Sequence, residues 1–138
     1  MRCFFDRNVV IDALSGRKGS VESERKLLYA AAVGEIDGIL SAKQMTDIYY
    51  VLRKHIPDDS TRRGLISTLV EGFEIVPVDK SILKTALASD IPDFEDAVID
   101  SCAASAKADV IVTKDKDGFA LGTVRSVSPE RIAEELGI

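Results

Sequence analysis

An α/β fold with a mostly parallel central sheet is what this sequence predicts, and three observations predict it. Short β-type runs alternate with helical stretches or helix pairs along the whole chain. Three of those runs are nearly continuous in apolar residues, as strands covered on both faces must be. The length of 138 residues, 46% hydrophobic and 30% charged, suits one domain spanning 1–138 that buries a core without disulfides or a structural metal.

"CFF" at 3 to 5 is the first strand, and a helix begins at residue 7. Residues 20 to 34 form a second helix, opening on Ser20 with Glu22 and Glu24 early, as a helix start prefers. "GIL" at 38 to 40 is the second strand. In the helix over 43 to 54, Met45, Ile48, Tyr49 and Leu52 fall at i, i+3, i+4 and i+7, an amphipathic stripe. A helix over 58 to 71 leads to the third strand, "FEIVPV" at 73 to 78. Helices over 80 to 89 and 93 to 107 precede the fourth strand, "DVIVT" at 109 to 113. A weaker strand, "TVRSV" at 123 to 127, and a helix over 129 to 136 complete the order. Ligands of parallel sheets bind outside the carboxyl ends of the strands. Asp6, Ser41, Asp115 and Asp117 all follow strands and so belong at one sheet edge.

Much chemistry is excluded. Cys3 and Cys102 lie far apart in apolar stretches and read as buried thiols of a reducing compartment. The longest apolar run, "LLYAAAV" at 27 to 33, is too short to cross a membrane, and the N-terminus carries no signal-peptide pattern. A cytoplasmic location is expected. The net charge of −5 argues against coating nucleic acid by bulk electrostatics, although a metal-dependent nuclease would carry acids of its own. The single histidine, His55, sits at a helix C-terminus and has no second histidine to work with. "GRKGS" at 16 to 20 is not a phosphate-binding loop, since it lacks the spacing and follows no strand.

The carboxylates remain. Asp6 reads either as a helix cap or as a ligand at the sheet edge. Asp12 in the following helix reads as a solvated residue or a helper. Asp47 lies opposite the apolar stripe, facing solvent or an open cleft. "DFEDAVID" sets Asp93, Asp96 and Asp100 at i, i+3 and i+7, a ridge in which Asp93 suits an N-cap and Glu95 the helix dipole. Asp115 and Asp117 suit a turn, with Gly118 supplying a positive φ. "DKDG" is not a calcium loop, because the twelfth position is Ser126. Two carboxylates ~4 Å apart repel by about 4 kcal/mol at an effective dielectric near 20, so such a group calls for a cation. Carboxylate oxygens suit Mg²⁺ or Mn²⁺.

In order and spacing, "FFDRNVVIDAL", "TDIYYVLRK", "DFEDAVIDSCA", "VIVTKDKDGF" and "VSPE" resemble the PIN-domain family over essentially the whole chain, with most similarity to the small prokaryotic proteins that include the VapC toxins. The resemblance implies a Rossmann-like three-layer α/β/α sandwich and a Mg²⁺- or Mn²⁺-dependent endoribonuclease that hydrolyses single-stranded RNA. It also implies a homodimer and an antitoxin partner encoded beside it. The catalytic acids fall on Asp6, Asp47, Asp96 and Asp115, with metal held by Asp6, Asp96 and Asp115. Asn8 matches a residue bracing the first acid, Thr113 the hydroxyl before the fourth, and Asp117 a substitute for the fourth. Lys43, Lys54, Lys114 and Lys116 are candidates for phosphate contacts.

The chain departs from the pattern twice: Arg7 replaces a small residue and could pair with Asp6, and Asp47 replaces a more usual Glu. A haloacid-dehalogenase phosphatase would want a second Asp where this chain has Asn8. A degenerate PIN domain, binding without metal, is the rival from outside the enzymes.

Overall fold

The computed structural model describes every residue except 18 and 20. The expected helix start at Ser20 and part of the 16–20 segment therefore lie outside the described residues. The chain runs β1 (Arg2–Phe5), α1 (Arg7–Ser15), α2 (Glu22–Ala32), β2 (Asp37–Ser41), α3 (Ala42–Leu52), α4 (Asp59–Gly72) and β3 (Glu74–Val76). It continues through α5 (Lys80–Leu87), α6 (Phe94–Ser105), β4 (Val110–Val112), a 3-10 turn (Asp117–Phe119), β5 (Arg125–Val127) and α7 (Pro129–Leu136).

The five strands form one sheet in the order β3-β2-β1-β4-β5, every neighbouring pair parallel. Alternation within the strands builds two cores. Cys3, Phe5, Leu40, Val110 and Val112 face a layer made by α1, α2, α3, α4 and α7, with Ile11, Leu27, Ile48, Leu69 and Ile132 in the contact. Phe4, Ile39 and Ile111 face α5 and α6, meeting Ile82, Ala86, Val98, Ile99 and Cys102. This is a three-layer α/β/α sandwich, and it explains why the central strands carry no polar face. The third strand is shorter than expected: Pro77 has no N–H to continue the ladder, and pairing stops at Val76. Both cysteines are buried free thiols, Cys3 in one core and Cys102 in the other; burial pushes each up to about 11.

The chain leaves β1 toward β2 and β3, then returns across the sheet to β4 and β5. The switch point lies between β1 and β4, where the crevice of such a sheet opens. Asp6 and Thr113 stand directly after those two strands.

Candidate active site

Asp6 occupies the N-cap position of α1, yet its side chain caps nothing. Its Oδ2 instead accepts a 2.8 Å hydrogen bond from Thr113 Oγ1 across the crevice. Ser41, at the corresponding end of β2, does cap: its hydroxyl accepts from Gln44 N at 3.3 Å, and Gln44 Oε1 accepts from Ser41 N at 2.6 Å. Gln44 Nε2 then donates to Phe5 O at 2.8 Å and pins the end of β1 beside Asp6. Thr113 is fully buried, and its hydroxyl oxygen also accepts from Asp115 N at 3.0 Å. One threonine therefore fixes both the carboxylate after β1 and the backbone after β4.

Asp93 caps α6, accepting from Asp96 N at 2.9 Å, and this turns Asp96 toward the crevice. A methyl group built on Gly118 would lie 2.7 Å from Asp115 Oδ2 and 2.9 Å from Asp96 Oδ2. Both carboxylates border one small space that only glycine leaves open. Gly118 is there for that room and not for a left-handed φ, contrary to the expectation from its turn. Burial, then Asp93, Asp6, Asp115 and Glu95, raise Asp96 from 3.8 to about 6. Burial also raises Asp6, against the lowering effect of its bond from Thr113. Carboxyls pushed up this way mark a candidate functional site, and a bound cation would reverse the repulsion among them. Among the described residues no three candidate ligands close tightly enough to cage an ion as placed. The donors fit Mg²⁺ or Mn²⁺ in chemistry: all are hard oxygens around an open space.

The other candidates are placed differently. Asp47 is half-buried on α3 and accepts from Lys43 Nζ at 2.7 Å and from Arg7 Nη1 at 3.4 Å. Arg7 does not pair with Asp6 as expected; its Nη1 lies 3.4 Å from Asp47 and 3.4 Å from Glu95. Asn8 is exposed and accepts from Arg17 Nη2 at 3.0 Å, so Asp6 takes its side-chain bond from Thr113. Asp117 is exposed at the start of the 3-10 turn.

Two further acids are buried. Asp12 is not solvated: it is 1% exposed and accepts from Arg17 Nε at 2.6 Å and Lys114 Nζ at 2.7 Å. Burial raises its carboxyl, but the bonds from Lys114 and Arg17 outweigh that and hold it below its usual range. Asp100, the last acid of the ridge, is engaged within the fold. It is buried and accepts from Thr123 N, Thr123 Oγ1 and Val124 N at 3.0 to 3.1 Å. The ridge begins in the crevice and runs beneath the loop after the 3-10 turn.

A family model described as PIN domain matches residues 2–117. No curated protein matches the chain in sequence. Similar solved structures include a toxin–antitoxin complex from Klebsiella pneumoniae, 22% identical with a TM-score of 0.68, over 92% of this chain and 97% of that one. VapBC2 from Rickettsia felis, bound to a promoter DNA fragment, is 14% identical with a TM-score of 0.70, over 93% and 98%. Mycobacterium tuberculosis VapC20, described as a sarcin-ricin loop cleaving toxin, is 14% identical with a TM-score of 0.66, over 88% and 96%.

Proposed function

The chain belongs to the PIN-domain family, and on that premise we propose that it is a Mg²⁺- or Mn²⁺-dependent endoribonuclease acting on single-stranded RNA, the toxin of a type II toxin–antitoxin pair. The observation that carries this reading is the convergence of Asp6, Asp96 and Asp115 on the switch-point crevice, with Asp96 pushed up to about 6 by burial and its neighbours. With the family shown, the haloacid-dehalogenase reading falls away.

Asp6, Asp96 and Asp115 would hold the ion. When bound, such an ion lowers the pKa of a water and draws charge from the phosphate. Thr113 keeps Asp6 in one orientation by its hydrogen bond, so the first ligand is set before binding. Asp47 orients the attacking water from α3 while Lys43 and Arg7 hold its carboxylate. Both cations are partly exposed and pair with that one carboxylate at 2.7 Å and 3.4 Å, the kind of contact that exchanges readily for a phosphate oxygen. Hydrolysis then breaks the P–O ester bond and adds the elements of water across it. The toxin role and the antitoxin are supported by the likeness to toxin–antitoxin structures over nearly full length, and the homodimer by the family resemblance alone.

A second reading, a PIN domain that binds without metal, is favoured by one feature: among the described residues no three acids stand close enough together to cage an ion. Catalysis separates the two. Purified protein should cleave single-stranded RNA with Mn²⁺ or Mg²⁺ and stop in EDTA, and Asp96→Asn should lose about two orders of magnitude or more. Undiminished cleavage by Asp96→Asn, or cleavage in EDTA, contradicts the proposal.

A further inference from the structure

Buried acids outside the ligand set need a reason to be charged. Among the described residues three carboxylates are buried: Asp12, Glu24 and Asp100. Asp100 is satisfied by neutral donors from Thr123 and Val124. Asp12 and Glu24, 1% and 2% exposed on α1 and α2, share the ammonium of Lys114. Its Nζ lies 2.7 Å from Asp12 Oδ2 and 3.2 Å from Glu24 Oε1. Arg17 also holds Asp12, at 2.6 Å, but Lys114 alone is gripped by both buried carboxylates, and burying charges is costly unless each is paired.

Its position in the chain says what is being placed. Lys114 stands between Thr113 and Asp115, at the bend where the chain leaves β4. Thr113 reaches Asp6, and Asp115 borders the space at Gly118 with Asp96. Lys114 reaches back into the helical layer. We propose that Lys114, clamped by Asp12 and Glu24, is a positioning residue that holds the segment after β4 so that Thr113 and Asp115 stay on the acid cluster. The clamp opposes the repulsion that would drive Asp115 away from Asp6 and Asp96 when no cation is bound. It also removes Lys114 from the candidates for phosphate contact.

The proposal rests on the metal reading above, and its test separates the two. Lys114→Met should weaken Mn²⁺ binding, read by titration calorimetry, about tenfold or more, as loss of a residue that orients a ligand does. In the metal-free protein, amide exchange at Asp115 and Gly118 should quicken by about tenfold relative to the β1 amides. Lys114→Arg, which can still reach both carboxylates, should restore both quantities. A lower melting temperature with unchanged Mn²⁺ affinity and unchanged exchange at Asp115 overturns the proposal, because a purely structural pair would behave so. Should Lys114→Met fail to fold, Glu24→Leu removes the α2 arm alone; wild-type affinity and exchange in that variant overturn it equally. A wild-type protein with no Mn²⁺ affinity sinks the metal reading instead, and the exchange comparison still decides the clamp.

Discussion

Asp6 and Ser41 end adjacent strands, and only Ser41 caps its helix. Asp caps a helix as well as Ser does, yet the Asp6 side chain leaves that place unused and takes its bond from Thr113 across the crevice. The same holds for Asp96, where pH exposes the cost. Its folded value near 6 lies above the ordinary 3.8, so the folded protein binds this proton more tightly than the unfolded chain. Stability relative to an uncharged variant is therefore undiminished below the unfolded value, falls as pH rises from about 4, and levels off above about 7. Asp96→Asn in EDTA should match wild type near pH 3.5 and exceed it by about 1 kcal/mol near pH 7.5, after allowing for solvent screening. Urea unfolding at the two pH values measures this; an equal gain at both would mean that Asp96 carries no electrostatic strain. The positions of Asp6, Asp96 and Asp115 were legible because each lies at a strand end or helix start that periodicity locates, while Thr113 was singled out only by the family resemblance. The burial of Asp12 and Glu24 was not legible. Nothing in a helical pattern marks an acid as buried when its lysine lies 102 residues away, as for Asp12.

Helix ends do much of the positioning at the next scale up. Gln44 closes the box on Ser41 and reaches Phe5 O, tying α3 to β1; Asp93 caps α6 and presents Asp96. Further down α6, Asp100 gathers the loop that follows the 3-10 turn, and Gly122 makes room for it. A Cβ on Gly122 would stand 2.7 Å from Asp100 Oδ1. Gly122→Ala should push that carboxylate off Thr123 and Val124 and destabilise the fold by about 1 to 3 kcal/mol, the cost of a buried acceptor left unpaired. A urea midpoint equal to wild type would show that the loop yields freely. The elements themselves were readable: each expected strand and helix is present, and the sheet is parallel throughout. Their ends were less so. The α6 ridge looked uniform because spacing places Asp100 below Asp96 on one face, while the loop covering Asp100 comes from residues 23 and 24 positions later.

The whole molecule is a five-stranded parallel sheet with unequal helical layers, and its order brings β1 and β4 side by side at the centre. That adjacency gathers acids from residues 6, 96 and 115 at one crevice, in a chain whose net charge is already −5. No helix among the described residues is long and apolar enough to cross a membrane. The sequence alone orders the strands along the chain but not across the sheet; it places acids at the carboxyl ends of the strands, and the strand order locates the crevice between β1 and β4. A site of this kind should be a liability when empty and an asset when filled. Thermal melts of wild type and Asp6→Asn, in EDTA and in Mn²⁺, test that directly. A cation binding only the folded state adds about 2.7 kcal/mol at a hundredfold excess over Kd. For a domain of this size that is a rise of roughly 5 to 10 °C in wild type. Asp6→Asn keeps an oxygen for Thr113 and loses the charge; it should melt at or above wild type in EDTA and lose most of the Mn²⁺ rise. A variant that melts below wild type in EDTA and keeps the full rise would contradict a metal centre at Asp6.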